Sequence, residues 1–315
     1  MKEEFNRQNN SYVVLDKKGN ILADGVLKEN ETIKIVNEKQ ARAYKDKLKN
    51  SDRMKEHIQD NEGSFVHFMY KYMCPVFAEL ENKCGGNKAN IHIIRFIKLA
   101  THLNFKDNLY DDNNNRIKKS SLSKIWDVKD RKGINDTYNI LKEFGYITET
   151  EEGYIMLNNS IITKGEIENF KSLKKSQDDI TYTRLFSKNI QDMYLNTDSK
   201  ARKQLANLFR ILPYVNFKYN LFCENPTEVD ASKIIPLTWT DLARICGYEE
   251  KKHIAKFKKD LFKLSIYGYN VIGQFTTSSG YEILVNPKIY YAGDNIEDVQ
   301  QLYSMFKMTA NSKEQ

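Results

Sequence analysis

The sequence predicts an α+β fold, mainly helical, built from an internal duplication. Three observations carry that prediction. Four sequence blocks recur in the same order in the two halves of the chain. Each set of blocks opens on a strongly apolar helical stretch followed by a short helical stretch and then a second full-length one. Each set then closes on two extended runs flanking a turn. With 315 residues the chain is long enough for two domains of ordinary size. Hydrophobic residues at 40% and aromatics at 12% supply real cores and exclude a wholly disordered chain.

Taken in order, residues 12–36 predict a small β element: Tyr12 to Asp16, a turn at Lys17–Asn20, then Ile21 to Leu27 and Thr32 to Val36. Residues 37–60 are polar helix formers with few apolar anchors, Ala41, Tyr44 and Leu48. From Ser64 to Leu80 the residues Phe65, Phe68, Met69, Tyr72, Val76, Phe77 and Leu80 fall at helical spacing. They predict one amphipathic helix, kinked or split at Pro75.

The repeat follows. Asn104/Asn216, Phe105/Phe217, Lys106/Lys218, Asn108/Asn220 and Leu109/Leu221 are each 112 residues apart. Ser121–Val128 answers to Thr238–Ile245, and Ile134, Leu141 and Phe144 to Ile254, Leu261 and Leu264. Asn158, Ile161 and Gly165 answer to Asn286, Ile289 and Gly293. The two copies span 89–175 and 182–308, with a polar linker at Ser172–Asp179. The predicted domains are 1–60, 61–175 and 176–315, the last two folding separately and joined by a flexible tether. Such a tether would raise affinity over either half by about 10².

Within each copy an apolar helix (91–103 or 201–212) precedes a loop and a short helix. In the second copy that short helix begins with the acidic capping box Thr238/Asp241. A tight turn leads to a second helix, 131–144 or 250–265, and then to a hairpin. This is the order of a winged helix, whose second helix enters the DNA major groove.

The charge fits that expectation. Lysine and arginine outnumber aspartate and glutamate 49 to 42, a net charge of +7. Residues 114–145 and 233–269 each hold eight bases and four acids. The rest of the chain is therefore close to neutral. On the second helix of copy two, Ile254, Phe257, Leu261 and Leu264 form the core stripe. Lys252, Lys256 and Lys259 then share an exposed face, with Lys251 at the helix start. Like charges so spaced repel unless an anion pairs with them, and a phosphate backbone is such an anion. Copy one offers Lys129, Arg131, Lys132, Asn135 and Asn139. Arginine and asparagine can bond bidentately to guanine and adenine edges, so copy one is expected to read bases and copy two to anchor to phosphate. Asp130 and Asp136 are the neighbours that could occupy Arg131 instead.

Enzymatic signatures do not emerge. There is no P-loop, no H-E-x-x-H and no nucleophile–base–orienter set, and five isolated histidines do not form a metal motif. The four cysteines lack paired spacing and are expected to be reduced thiols. No apolar run approaches 18 residues, so a cytoplasmic protein with no membrane partner is expected.

Val13–Leu22, the stretch from Phe65 to Tyr70, the apolar helix at 91–103, and Tyr154–Asn159 with Thr163–Lys164–Gly165 resemble plasmid replication proteins of Firmicutes. Copy two has its own version, Tyr281–Lys288, ending in Ala292–Gly293. The tandem arrangement also resembles initiators with two winged helices that bind repeated origin sequences. The resemblance implies a non-catalytic protein, without cofactor or metal, that binds duplex origin repeats and recruits host replication proteins, with a homodimer as one possible state. A second domain after the first departs from the single-winged-helix pattern. A winged-helix transcriptional regulator and a winged-helix protein-interaction adaptor are the alternatives.

Overall fold

A computed structural model describes residues 2–6, 11–15, 21–26, 45, 49, 52, 64–164, 182–278, 280–291 and 296–311. The chain divides into two units, Met1–Lys49 and Asn50–Gln315, and its architecture is α+β. The first unit holds an antiparallel meander of β1 (Lys2–Asn6), β2 (Ser11–Leu15) and β3 (Ile21–Val26). Phe5 faces Tyr12, Val13 faces Asp24, and a bulge falls between Val14 and Leu15. The first two of the three expected runs, from Tyr12 and from Ile21, are therefore strands. β1 is an addition, since its polar residues carry no strand signal. Thr32–Val36, most of the polar stretch 37–60 and the linker at Ser172–Asp179 lie outside the described residues.

The second unit opens with a departure from expectation. Phe65 to Met69 form a strand, β4, and the helix α1 (Tyr70–Cys84) begins only after it. Val66 and Phe68 are buried while Phe65 and His67 are half-buried, the two-residue alternation of a sheet. In so short a run, positions 65, 68 and 69 satisfy a helical stripe as well, and a distant partner strand decides the outcome. Pro75 sits inside α1 without ending it, and Met73, Val76, Phe77 and Leu80 bury one face. Gly85, at φ 75, turns the chain into α2 (Gly86–Ala100). This helix is buried along nearly its whole length, from Ala89 to Ala100, apart from half-buried Ile91 and Arg95.

Beyond α2 come α3 (Leu122–Ile125), α4 (Arg131–Glu143), and a hairpin of β5 (Ile147–Glu149) and β6 (Ile155–Leu157), then β7 (Ile162–Thr163). The second set runs β8 (Tyr182–Phe186), α5 (Ser187–Asn196), α6 (Leu205–Ile211), α7 (Trp239–Ile245) and α8 (Lys251–Phe262). A small β9/β10 pair (Ser265–Ile266, Tyr269–Asn270) precedes the hairpin of β11 (Ile272–Thr277) and β12 (Gly280–Val285). β13 (Tyr290–Tyr291) and α9 (Ile296–Asn311) complete it. Residues aligned by sequence adopt matching local geometry. Asn158 and Asn286 each follow the hairpin and each donate Nδ2 to the backbone before it, to the carbonyls of Gly145 and Asn270. Each also accepts on Oδ1 from the backbone N–H two residues on, Ser160 or Lys288.

The two stretches are not separate bodies on a tether. One sheet, in the order β13-β8-β4-β7, takes two strands from each. Its central strands are antiparallel, with Phe65 opposite Phe186, His67 opposite Arg184 and Met69 opposite Tyr182. The order reads alike from either edge, so an approximate two-fold passes near the His67–Arg184 pair. Below the sheet, one apolar core runs from Val66 through Trp126 and Leu141 to Phe209, Phe257 and Val285.

Polar contacts cross this core in both directions. From the second stretch, Tyr194 Oη donates to the Trp126 carbonyl at 2.7 Å, and Arg202 Nη2 bonds Asp127 Oδ2 at 2.7 Å. Both grip the turn between α3 and α4. From the first, Glu81 Oε2 accepts from Arg210 Nη1 at 2.6 Å and Asn90 Oδ1 from Arg210 Nε at 3.0 Å. Asn90 also donates to Asn207, which donates in turn to Tyr248 Oη at 3.2 Å, beside the turn between α7 and α8. The second stretch thus holds the first one's interhelical turn directly, and the first reaches the other turn only through Asn207.

Arg202→Ala should lower the unfolding free energy by about 1–3 kcal/mol, mostly from the Tyr194 and Thr197 carbonyls left without their donor, since Asp127 is itself exposed, in a single urea transition for residues 50–315. Expressed alone, 61–175 and 176–315 should show no cooperative unfolding by circular dichroism, because each leaves β4 or β8 without its five-residue partner. Two independently cooperative halves would contradict the shared core.

Candidate nucleic-acid interface

The α7–turn–α8 segment is built as its sequence suggests. Thr238 Oγ1 accepts from the Asp241 N–H at 3.3 Å and Asp241 Oδ2 accepts from the Thr238 N–H at 2.9 Å, closing the capping box. Phe257 and Leu261 are buried and Ile254 half-buried, so the opposite face of α8 meets solvent. Lys251, Lys252, Lys256 and Lys259 are all exposed there. Two of the four amines are already paired: Lys252 with Glu250 at 2.7 Å and Lys256 with Asp260 at 2.6 Å. The Asp260 hydrogen bond holds the Lys256 pKa above its ordinary value. Among the described residues Lys251 and Lys259 have no ion pair. The first turn of α8 carries Lys251, Lys252 and His253 and no acid. Cations there oppose the helix dipole, and an external anion would relieve them.

In the first stretch, Asp130 caps α4, accepting from Lys132 N and Gly133 N at 3.0 Å each. Gly133 makes this cap possible, since a Cβ there would lie 2.5 Å from Asp130 Oδ2. Asp130 is therefore committed to backbone donors and leaves the Arg131 guanidinium to solvent. Lys129, Arg131, Lys132, Asn135 and Asn139 are all exposed. Lys132, Asn135 and Asn139 follow one another at three- and four-residue steps along a single face. Behind α4, Arg95 Nη1 donates to the Gly133 carbonyl at 2.6 Å and to Thr137 Oγ1 at 2.7 Å. His92 hydrogen-bonds the same hydroxyl at 3.0 Å, so α4 is fixed to α2 from beneath.

Two features carry no clear signal in the sequence. Arg116 and Lys118 flank the Tyr154 ring at 4.4 and 4.6 Å, and Lys119 lies 4.4 Å over Tyr138. These cations extend the basic surface from α4 toward the first hairpin. Lys118 meets Tyr154 through an isolated β-bridge and Tyr138 lies on α4, so no local spacing ties these cations to their rings. Lys258 bridges α8 to β11 through Gln274 Oε1 at 2.9 Å, over the Trp239 ring. The hairpin tips also differ. Glu151 and Glu152 make the first tip anionic, whereas Thr276, Thr277 and Ser278 leave the second uncharged. A phosphate backbone suits only the second.

Among the described residues no cluster of His, Cys, Asp or Glu is placed to hold a metal ion. Cys223 and Cys246 are buried free thiols, pushed up by burial to about 11 and about 12. No helix of the described residues is long and apolar enough to cross a membrane. Comparison with known proteins gives no matching family, no matching curated protein and no matching solved structure.

His92 and His102 are each buried, and burial lowers both from the ordinary 6.5 to about 4. Between those values the unfolded chain binds protons that the folded chain refuses. Stability is therefore full above about pH 6.5 and falls toward pH 4, by about 1.4 kcal/mol per unit for each histidine. His102→Gln should flatten the acid limb of a melting-temperature profile by one such group. A profile parallel to the parent's would show that His102 titrates normally.

Proposed function

We propose that this chain is a sequence-specific double-stranded DNA-binding protein. In this reading its two helix–turn–helix–hairpin stretches are duplicated winged helices that act as one rigid reader. The carrying observation is the pairing of two outward, cation-bearing helices, α4 and α8, on one shared core. The base-reading set is Arg131, Asn135 and Asn139. Lys129, Lys132, Lys251, Lys252, Lys256 and Lys259 supply phosphate contacts. The uncharged second hairpin rests on the backbone, and the acidic first hairpin stays clear of it. The resemblance to Firmicute plasmid initiators makes origin repeats the proposed target and host replication proteins the proposed partners. No chemistry is asked of the chain. Binding at the repeats would position the partner proteins and deform the duplex.

Rigidity changes the expected energetics. Two modules on a flexible tether would gain from effective concentration. Two helices held by one core instead accept only one spacing and orientation of half-sites, as dimeric helix-turn-helix proteins do.

Fluorescence anisotropy against salt tests this. Lys251→Ala and Lys259→Ala, whose amines have no ion pair among the described residues, should each reduce the slope of log K against log salt by about 0.9. Lys252→Ala should do less, since Glu250 already holds that amine. Arg131→Ala should relax base preference at one position by about 1–3 kcal/mol in a selection on randomised duplexes. Slopes unmoved by the lysine changes would remove α8 from the interface.

A further inference from the structure

Between the two repeats lies a half-open cleft of about 310 Å³. Its floor is apolar: Ile91 and Ile94 from α2, Val128 from the turn before α4, and Tyr194 from α5. Its rim is cationic, formed by Arg95, Lys200, Arg202 and Lys203. The acids around it are few and occupied. Asp127 pairs with Arg202 at 2.7 Å, Asp130 caps α4, and Asp198 accepts from the Lys200 backbone N–H at 2.9 Å. Asp136, exposed on α4, faces Arg95 only through space. Lys200 and Lys203 have no ion pair among the described residues. Arg95 uses Nη1 for Gly133 and Thr137. Its Nε and Nη2 make no hydrogen bond among the described residues, although the side chain is partly buried.

We propose that this cleft is a binding site for a small phosphate ester carrying a flat apolar group, the chemistry of a mononucleotide. Two requirements of such a ligand are met together. The free Nε and Nη2 of Arg95 and the two lysines supply directed and diffuse charge for a dianion, while Arg202, whose donors are all taken by Tyr194, Thr197, Trp126 and Asp127, adds only its positive field. An apolar floor with a tyrosine edge takes a ring, in a cleft of the size and mixed lining typical of small-molecule sites at domain junctions. A duplex phosphate would meet the rim but has no ring free to fill the floor. Arg95 and Val128 also hold the start of α4, so occupancy and the position of that helix are linked. That linkage to DNA affinity rests on the function proposed above; occupancy itself does not.

The test uses the full chain in isothermal titration with adenosine monophosphate, adenosine diphosphate and inorganic phosphate, beside duplex binding. Either nucleotide should bind saturably and raise the melting temperature, with inorganic phosphate at least tenfold weaker. The double variant Lys200→Ala/Lys203→Ala changes two residues outside the interlocking contacts. It should keep the unliganded melting temperature and lose nucleotide affinity at least tenfold. Ile91→Trp, which fills the floor, should block the nucleotides but spare inorganic phosphate. No saturable nucleotide binding at millimolar concentration would overturn the proposal, as would nucleotide affinity unchanged in the double variant. If the double variant lost only duplex affinity, and the parent bound no nucleotide, the rim would belong to the DNA surface and the small-ligand site would be refuted.

Discussion

Two buried guanidiniums, those of Arg202 and Arg210, set the limits within which the rest of the second unit can be arranged. Their side chains are only 9% and 5% exposed. A charge so placed is costly unless its donors are satisfied. Arg202 finds acceptors in Asp127, the Trp126 carbonyl and its own repeat's Tyr194 and Thr197 carbonyls. Arg210 finds Glu81 and Asn90. In each case essential acceptors belong to the other half of the unit, Trp126 and Asp127 for Arg202, Glu81 and Asn90 for Arg210. Separating the repeats would strand both charges, so the packing of one repeat on the other is part of how each is folded. The antiparallel β4/β8 pair imposes the same condition on the backbone.

What this constraint fixes is the placement of the interhelical turns. Arg202 and Tyr194 hold the Trp126–Asp127 turn, and Asn207 reaches Tyr248 beside the other. The helices that follow, α4 and α8, are consequently anchored at their N-terminal ends, where their exposed cations begin. The small-ligand cleft lies at one of these anchor points. Elsewhere between the two stretches Asn90, Asn207 and Arg210 form a hydrogen-bonded network instead. In the alignment of the two stretches Arg95 falls opposite Asn207, and Lys98 opposite Arg210.

Features decided by neighbours along the chain are legible in the amino-acid sequence alone. The Thr238/Asp241 capping box, both hairpins, the Phe257/Leu261 stripe and the exposure of Lys256 and Asn135 all follow from local spacing. Features decided by distant partners are not. Phe65 to Met69 satisfy helical and strand patterns alike, and only β8, more than a hundred residues later, selects the strand. The polar composition of Ser172–Asp179 suggests a flexible connection, but composition carries no information about a sheet shared across it. The lysines of α8 are legible as a face. Their partial neutralisation is not, because Asp260 in the same helix can point either way until its rotamer is fixed. Asp130 likewise has two candidate partners, Arg131 or the α4 backbone, and the close approach allowed by Gly133 selects the backbone.

Rigid presentation of two helices by one core makes a demand that a tethered pair would not. With the preferred duplex in hand from selection, five base pairs inserted between the two contacted segments would rotate one by about half a helical turn relative to the other. Gel-shift titration of this duplex against the parent site is the most direct measurement. The interlocked structure predicts that the insertion removes specific binding, leaving only the non-specific, salt-dependent component. Retention of specific affinity within a few-fold of the parent would show that the repeats reorient independently, and would contradict the account.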